Sequence, residues 1–207
     1  MIHQFVFDDG SVNDVLGGGV GTAFAMISGG QAIFGKTAQY LQLPSNLLGN
    51  FRNVTIEAWF YVSPATSCNN ASPRLFSIGT GSSSYDIDIQ FNSGGYLTFA
   101  QDISNSWDVT SSTYQYTSLG YFHVALVLTN NSCGLLYVNG VLNAMTAFAI
   151  SLPTASQQTI AYISKSAADS NGGIVGTVDE FRVWSNALSP AQVKASYIAG
   201  KFCVSLN

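Results

Sequence analysis

The chain has 207 residues; 47% are hydrophobic and only 9% are charged, against ~25% charged in ordinary soluble domains. Net charge is −4, from 11 acidic and 7 basic residues, with no basic run, which argues against nucleic-acid binding. No stretch approaches ~18 consecutive apolar residues, so no membrane-spanning helix is expected, and the length suits one large all-β domain, residues 1–207, with a sizeable core of its own.

In chain order, residues 1–9 read as an apolar strand. They lack the basic flank and long apolar run of a signal peptide. Asp9-Gly10 supplies turn chemistry. The loop 11–21 contains Gly17-Gly18-Gly19, but neither a strand-to-helix context nor Lys-Ser/Thr follows, so it reads as a flexible surface loop and not a phosphate cradle. Short strands are expected at 23–28, 32–34 and 38–43, and a core strand at 54–62. The segment 64–73 is the most turn-rich of the chain. Strands follow at 74–78, 85–91 and 96–101, then a polar loop, 104–112, that holds Trp107. Tyr114 and Tyr116 alternate with polar residues as on a sheet edge. The nearly continuous apolar run 121–128 predicts a strand at a sheet centre. Asn139-Gly140 predicts a two-residue hairpin, and weaker strands are expected at 147–150 and 160–164. The tail, 201–207, could return as an edge strand.

The stretch 174–193 combines a long strand with the one helix signal. Strict alternation would put Val178, Glu180, Arg182 and Trp184 on one face and Asp179, Phe181 and Val183 on the other. Ser189 then suits an N-cap, Pro190 the first helical position and Gln192 a capping box, and the helix is expected over 190–199. The pattern as a whole predicts an all-β fold: a two-sheet antiparallel jelly-roll sandwich with one short C-terminal helix.

Three segments carry a resemblance. Gly176-Thr177-Val178-Asp179-Glu180-Phe181-Arg182-Val183-Trp184, followed by Asn186-Ala187-Leu188-Ser189, resembles the closing motif of laminin-G-like, concanavalin-A-like jelly-roll lectin domains. Val54-Thr55-Ile56-Glu57-Ala58-Trp59-Phe60 resembles their early central strand. Phe122-His123-Val124-Ala125-Leu126-Val127 with Leu136-Tyr137-Val138-Asn139-Gly140 resembles their middle hairpin, Phe122 standing where Trp is usual. The resemblance implies a lectin-like domain, extracellular or surface-displayed. It also implies that the first and last strands pair, bringing Asp8-Asp9-Gly10 towards Asp179, so that Asp8, Asp9 and Asp179 with nearby carbonyls would hold a structural calcium ion.

Relatives of this fold also include β-glucan hydrolases with a Glu-x-Asp-x-Glu strand. The nearest match is Asp86-Ile87-Asp88-Ile89-Gln90, where Gln90 serves as neither acid nor nucleophile. His123 lies in an apolar run and His3 on a terminal strand, neither in a triad setting. A noncatalytic domain is therefore expected. Sugars present apolar ring faces and hydroxyl edges, held by exposed aromatics beside carboxylates and amides. Asp86, Asp88, Trp107 and Tyr114 are expected to border one exposed groove for a glycan or glycoprotein. The alternative is a structural or attachment subunit of a larger assembly, a virion surface protein or cell-surface adhesin, whose low charge leaves neutral surface for an oligomer. Cys68, Cys133 and Cys203 allow at most one intrachain disulfide. The Asn-x-Ser/Thr sites at Asn53, Asn70 and Asn130 carry no weight without a known source.

Overall fold

The computed structural model describes residues 1–66, 72–81, 85–104, 106–115, 120–167 and 172–200. In order the strands are β1 (His3–Phe5), β2 (Thr22–Ala23), β3 (Met26–Ser28), β4 (Gln31–Phe34), β5 (Leu41–Leu43), β6 (Asn53–Val62), β7 (Arg74–Gly79) and β8 (Asp86–Phe91). There follow β9 (Tyr96–Ile103), β10 (Ser106–Gln115), β11 (Tyr121–Thr129), β12 (Gly134–Val138), β13 (Val141–Met145), β14 (Ile160–Ile163) and β15 (Gly176–Trp184), closed by helix α1 (Pro190–Gly200). They form two antiparallel sheets, ordered β13-β12-β11-β6-β15-β4-β3, with β1 also on β15, and β10-β9-β8-β7-β14-β5-β2. The expected jelly-roll-like sandwich is present.

The core lies between the sheets and takes alternate residues from each strand: Ile56, Ala58 and Phe60 of β6, Val124 and Leu126 of β11, Ile87, Ile89 and Phe91 of β8. β6 and β11 are buried on both faces because α1 covers the outer side of their sheet through Val193 and Tyr197. The helix starts as the sequence predicts. Ser189 N donates to Gln192 Oε1 (2.9 Å) and Gln192 N to Ser189 Oγ (3.3 Å), a reciprocal capping box. Asn139 (φ 51°) and Gly140 (φ 74°) form the tight turn between β12 and β13.

Four expectations need correction. The strand expected at 23–28 is two strands in different sheets, β2 and β3, because the chain crosses a corner of the sandwich at Phe24-Ala25. The polar loop at 104–112 is largely strand: from Ser106 the chain joins β9 as β10, an edge strand exposed at Ser106, Trp107, Val109, Ser111 and Thr113. No strand forms at 147–150, where Ile150 makes only an isolated bridge to Asn130. Strict alternation in β15 fails at a bulge between Asp179 and Arg182, with Glu180 at φ 53°. The extra residue places Val178 on the core face with Phe181 and Val183, leaving Arg182 and Trp184 on the other.

The Gly-rich loop is pinned to β1 and is not free. Asp14 Oδ1 accepts the amides of Gln4 (3.0 Å) and Leu16 (3.1 Å), while His3 pairs with Oδ2. Burial works against the Asp14 carboxylate, but these bonds and the Gly17 amide outweigh it and hold its pKa below the usual value. A Cβ at Gly17 would lie 2.2 Å from Asp14 Oδ2, so glycine is required there by close approach. Cys133 is free among the described residues. Cys68, Cys203, Asn70, Tyr116 and the tail strand lie outside them.

Candidate functional site: the outer face of the seven-stranded sheet

β8 sends Ile87, Ile89 and Phe91 inward, so Asp86, Asp88 and Gln90 share the outer face, as strand periodicity predicts. Register carries that face across the sheet. One row runs Trp107–Asp102–Asp86. The next runs Val109–Ala100–Asp88–Ser77–Tyr162–Gln42.

The middle of this face is covered. Ala167 N donates to Ser77 Oγ (2.8 Å), laying the segment after β14 over β7. Asp86 and Asp88 are fully buried. Asp88 Oδ2 accepts Arg74 Nε at 2.8 Å, an ion pair with both side chains inside. Asp86 Oδ1 accepts Thr80 N (3.2 Å) and fits only because position 79 is glycine, where a Cβ would fall 1.4 Å from that oxygen.

Trp107 stands at the open edge of the face on β10, 38% exposed, with the Arg74 guanidinium 5.9 Å from its ring centre. Asp88, Arg74 and Trp107 thus form a chain of contacts from the buried centre to the exposed rim. Tyr114 is elsewhere. It follows a register shift between Ser111 and Gln115, and its ring packs 5.0 Å from Phe122 at the edge of the core. Burial raises the pKa of its hydroxyl. The expectation that Asp86, Asp88, Trp107 and Tyr114 border one exposed groove is therefore corrected: two are buried, one turns to the core, and Trp107 alone reaches solvent on that face. Arg74 was missed in sequence because it closes a turn-rich segment, far from both partners.

At the other end of the same face lies an aromatic group that sequence reading also missed. Phe24 stacks on Tyr40 (4.5 Å, 21°), Tyr40 meets Tyr162 edge-on (5.3 Å), and the Lys165 ammonium sits 4.0 Å and 4.6 Å from the two tyrosine ring centres.

On the opposite sheet, Glu57 is buried beneath α1. Its Oε1 accepts Ser196 Oγ (2.7 Å) and Trp184 Nε1 (2.9 Å), and its Oε2 lies 3.3 Å from His123 Nε2. Burial opposes the charge, but His123 first, then Ser196 and Trp184, outweigh it and hold the Glu57 pKa below its usual value. The carboxylate stands between serine and histidine, so this is a structural clamp and not a nucleophile–base pair.

At the terminal-strand junction, β1 pairs with β15 through Phe5↔Phe181. Burial, then the charges of Glu180 and Asp8, push the Asp179 pKa up to about 6. Glu180 pairs with Arg182. Asp9 departs from the expected calcium set: its Oδ1 accepts Ser11 N (2.9 Å) and Ser11 Oγ (2.6 Å) in a local turn. Among the described residues no three acidic, His or Cys side chains converge as a metal set. A cation here would rest on Asp8 and Asp179 and otherwise on neutral oxygens.

Solved structures share this architecture. The binding domain of botulinum neurotoxin DC in complex with SialylT aligns at TM-score 0.73 and 12% identity, covering 97% of this chain and 52% of that one. The same toxin domain in complex with rat synaptotagmin II aligns at TM-score 0.72 and 12% identity, with the same coverage. Domain 4 of an extracellular arabinanase from Geobacillus stearothermophilus, in complex with arabinotriose, aligns at TM-score 0.65 and 17% identity, covering 94% of this chain and 96% of that one. The chain thus spans about half of the toxin binding domains (52%) and nearly all of the arabinanase domain (96%). No curated protein shows a match to the chain. The laminin-G family described as "Concanavalin A-like lectin/glucanases superfamily" matches residues 34–194, and the chain belongs to it.

Proposed function

We propose that this chain is a noncatalytic glycan-recognition domain, displayed extracellularly or on a surface, that binds through the Trp107 edge of the seven-stranded sheet. The observation that carries the reading is Trp107 itself: an exposed indole on a polar strand, braced from behind by Arg74, which Asp88 fixes in turn. Such a plate offers a sugar ring an apolar face at little ordering cost. Family membership supports the reading, as does likeness in fold to domains solved with arabinotriose and with SialylT. The noncatalytic part of the reading is supported at β8, where Asp88 is buried and tied to Arg74 and Gln90 stands in the third outward position in place of an acid. On a glycan array, Trp107→Ala should lose the wild-type signals while keeping the wild-type melting temperature. Unchanged signals would refute the placement.

Calcium enters this reading only as a pin for the terminal strands, held by Asp8 and Asp179. It would offset the burial and the neighbouring like charges that raise the Asp179 pKa. Calcium should then raise the melting temperature, chelator should reverse the rise, and Asp179→Ala should abolish it. A melting temperature indifferent to both rejects the ion.

One observation favours the second reading, a subunit of a larger assembly. Edge strand β13 carries no charge and exposes Val141, Leu142 and Met145, the kind of edge that pairs with another chain. A concentration-independent monomer in solution would reject it.

A further inference from the structure

We infer that the Phe24–Tyr40–Tyr162–Lys165 group is a second subsite, specific for an anionic sugar residue, carboxylated or sulfated. The inference rests on reading this sheet face as glycan-binding, but it concerns a patch distinct from Trp107. In the row Val109–Ala100–Asp88–Ser77–Tyr162, β10 and β14 are four strands apart, ~19 Å at the usual strand spacing. The segment bonded to Ser77 lies between them.

Three features define the subsite. First, the elements hold it rigidly. Tyr162 projects outward from β14, whose Ala161 and Ile163 are core residues, and Phe24 N donates to Tyr40 O (2.9 Å) beside β5. Second, it offers a plate: Phe24 is 47% exposed and stacked on Tyr40, so an apolar ring face is fixed at the surface. Third, the cation beside the plate has no counter-charge among the described residues. Lys165 lies against two tyrosine rings, and among the described residues no carboxylate pairs with it. The ring contacts settle the ammonium position while leaving N–H donors for an acceptor. In a chain of net charge −4, a localised cation with no carboxylate partner among the described residues, beside an aromatic plate, selects a ring that carries its own negative group. The anion takes the ammonium and the sugar face takes Phe24. Gln42, exposed in the same row as Tyr162, is placed for a hydroxyl.

The experiment probes the full chain on an array of matched neutral, uronate-bearing, sialylated and sulfated glycans, at low and high salt. Wild type should bind acidic glycans above their neutral counterparts, with a preference that weakens in high salt. Lys165→Met should lower the acidic signals about tenfold, the loss of one charge-assisted hydrogen bond, and leave neutral signals unchanged. Lys165→Arg should restore them, and both variants should melt with wild type. The carboxylated and sulfated arms tell which anion is taken. Acidic signals untouched by Lys165→Met, or a wild type that binds neutral glycans alone, overturn the inference while leaving the Trp107 reading intact. A wild type that binds no glycan of any kind overturns both.

Discussion

Glu57 shows how single residues in this chain trade charge for order. It lies inside the molecule, yet Ser196, Trp184 and His123 all meet its carboxylate, with Arg182 Nη1 at 3.5 Å. These partners come from β11, β15 and α1, so one carboxylate fastens the helix to the sheet. Glu57→Ala would leave buried donors and the Arg182 charge without their shared acceptor. A loss of about 3–5 kcal/mol is expected in denaturant unfolding. The sign of its pH dependence follows from its pKa, which lies below the ordinary 4.5. The stabilisation is complete above the unfolded-state value and is lost as pH falls through the lower folded-state value. Wild type should therefore lose more stability on acidification than Glu57→Gln, measured by urea midpoint from neutral pH downwards. Equal acid sensitivity would refute the clamp. In sequence, His123 was legible as a core residue because its run is apolar. Its meeting with Glu57 was not, since it depends on the pairing of β6 with β11, His123 opposite Trp59 and Ala125 opposite Glu57.

Among the elements, β15 is the keystone: it pairs with β6, β4 and β1. Its β-branched and aromatic residues announced a strand, and the capping box announced the helix after it. The bulge at Glu180 had no such signal. One extra residue changes neither composition nor propensity, but shifts every later side chain by one face. Conversely, β10 was hidden by its polarity. An edge strand facing water needs few apolar residues, so Ser106–Gln115 resembles a loop except at Trp107 and Val109. A close approach in β15 gives a further test. A Cβ on Gly176 would sit 2.0 Å from the Tyr61 carbonyl oxygen, backbone against backbone. Gly176→Ala should destabilise the protein by about 1–3 kcal/mol, the usual range for overpacking. An unchanged thermal midpoint would show that β15 and β6 can separate at no cost.

For the whole molecule, the legible part of the fold was one sheet. The motifs at 54–60, 122–127, 136–140 and 176–184 fall on β6, β11, β12 and β15, which are consecutive neighbours in the order β12-β11-β6-β15. Their long apolar runs reflect burial on both faces, and such runs are recognisable without knowledge of partners. The opposite sheet carries the proposed binding face, and only its alternation could be read. Alternation correctly grouped Asp86, Asp88 and Gln90, but the covering segment and the turn of Tyr114 into the core arise from contacts distant in sequence. Trp107 was found because no apolar pattern around it explained an indole; Lys165 with its tyrosines was not, because stretches of chain far apart in sequence, beside β2, beside β5 and at β14, supply the patch. Trp107 also provides the most direct test. The chain has three tryptophans, and they sit in distinct settings. Trp59 is buried against Tyr197, Trp184 is bonded to Glu57, and Trp107 is exposed beside Arg74. Their indole N–H signals in a proton–nitrogen NMR spectrum therefore report three places at once. Titration with a neutral oligosaccharide that the chain binds on an array should move the Trp107 signal in a saturable way and leave those of Trp59 and Trp184 in place. Movement of Trp59 or Trp184 with Trp107 still, or three stationary signals at saturating sugar, would contradict glycan recognition at the Trp107 edge.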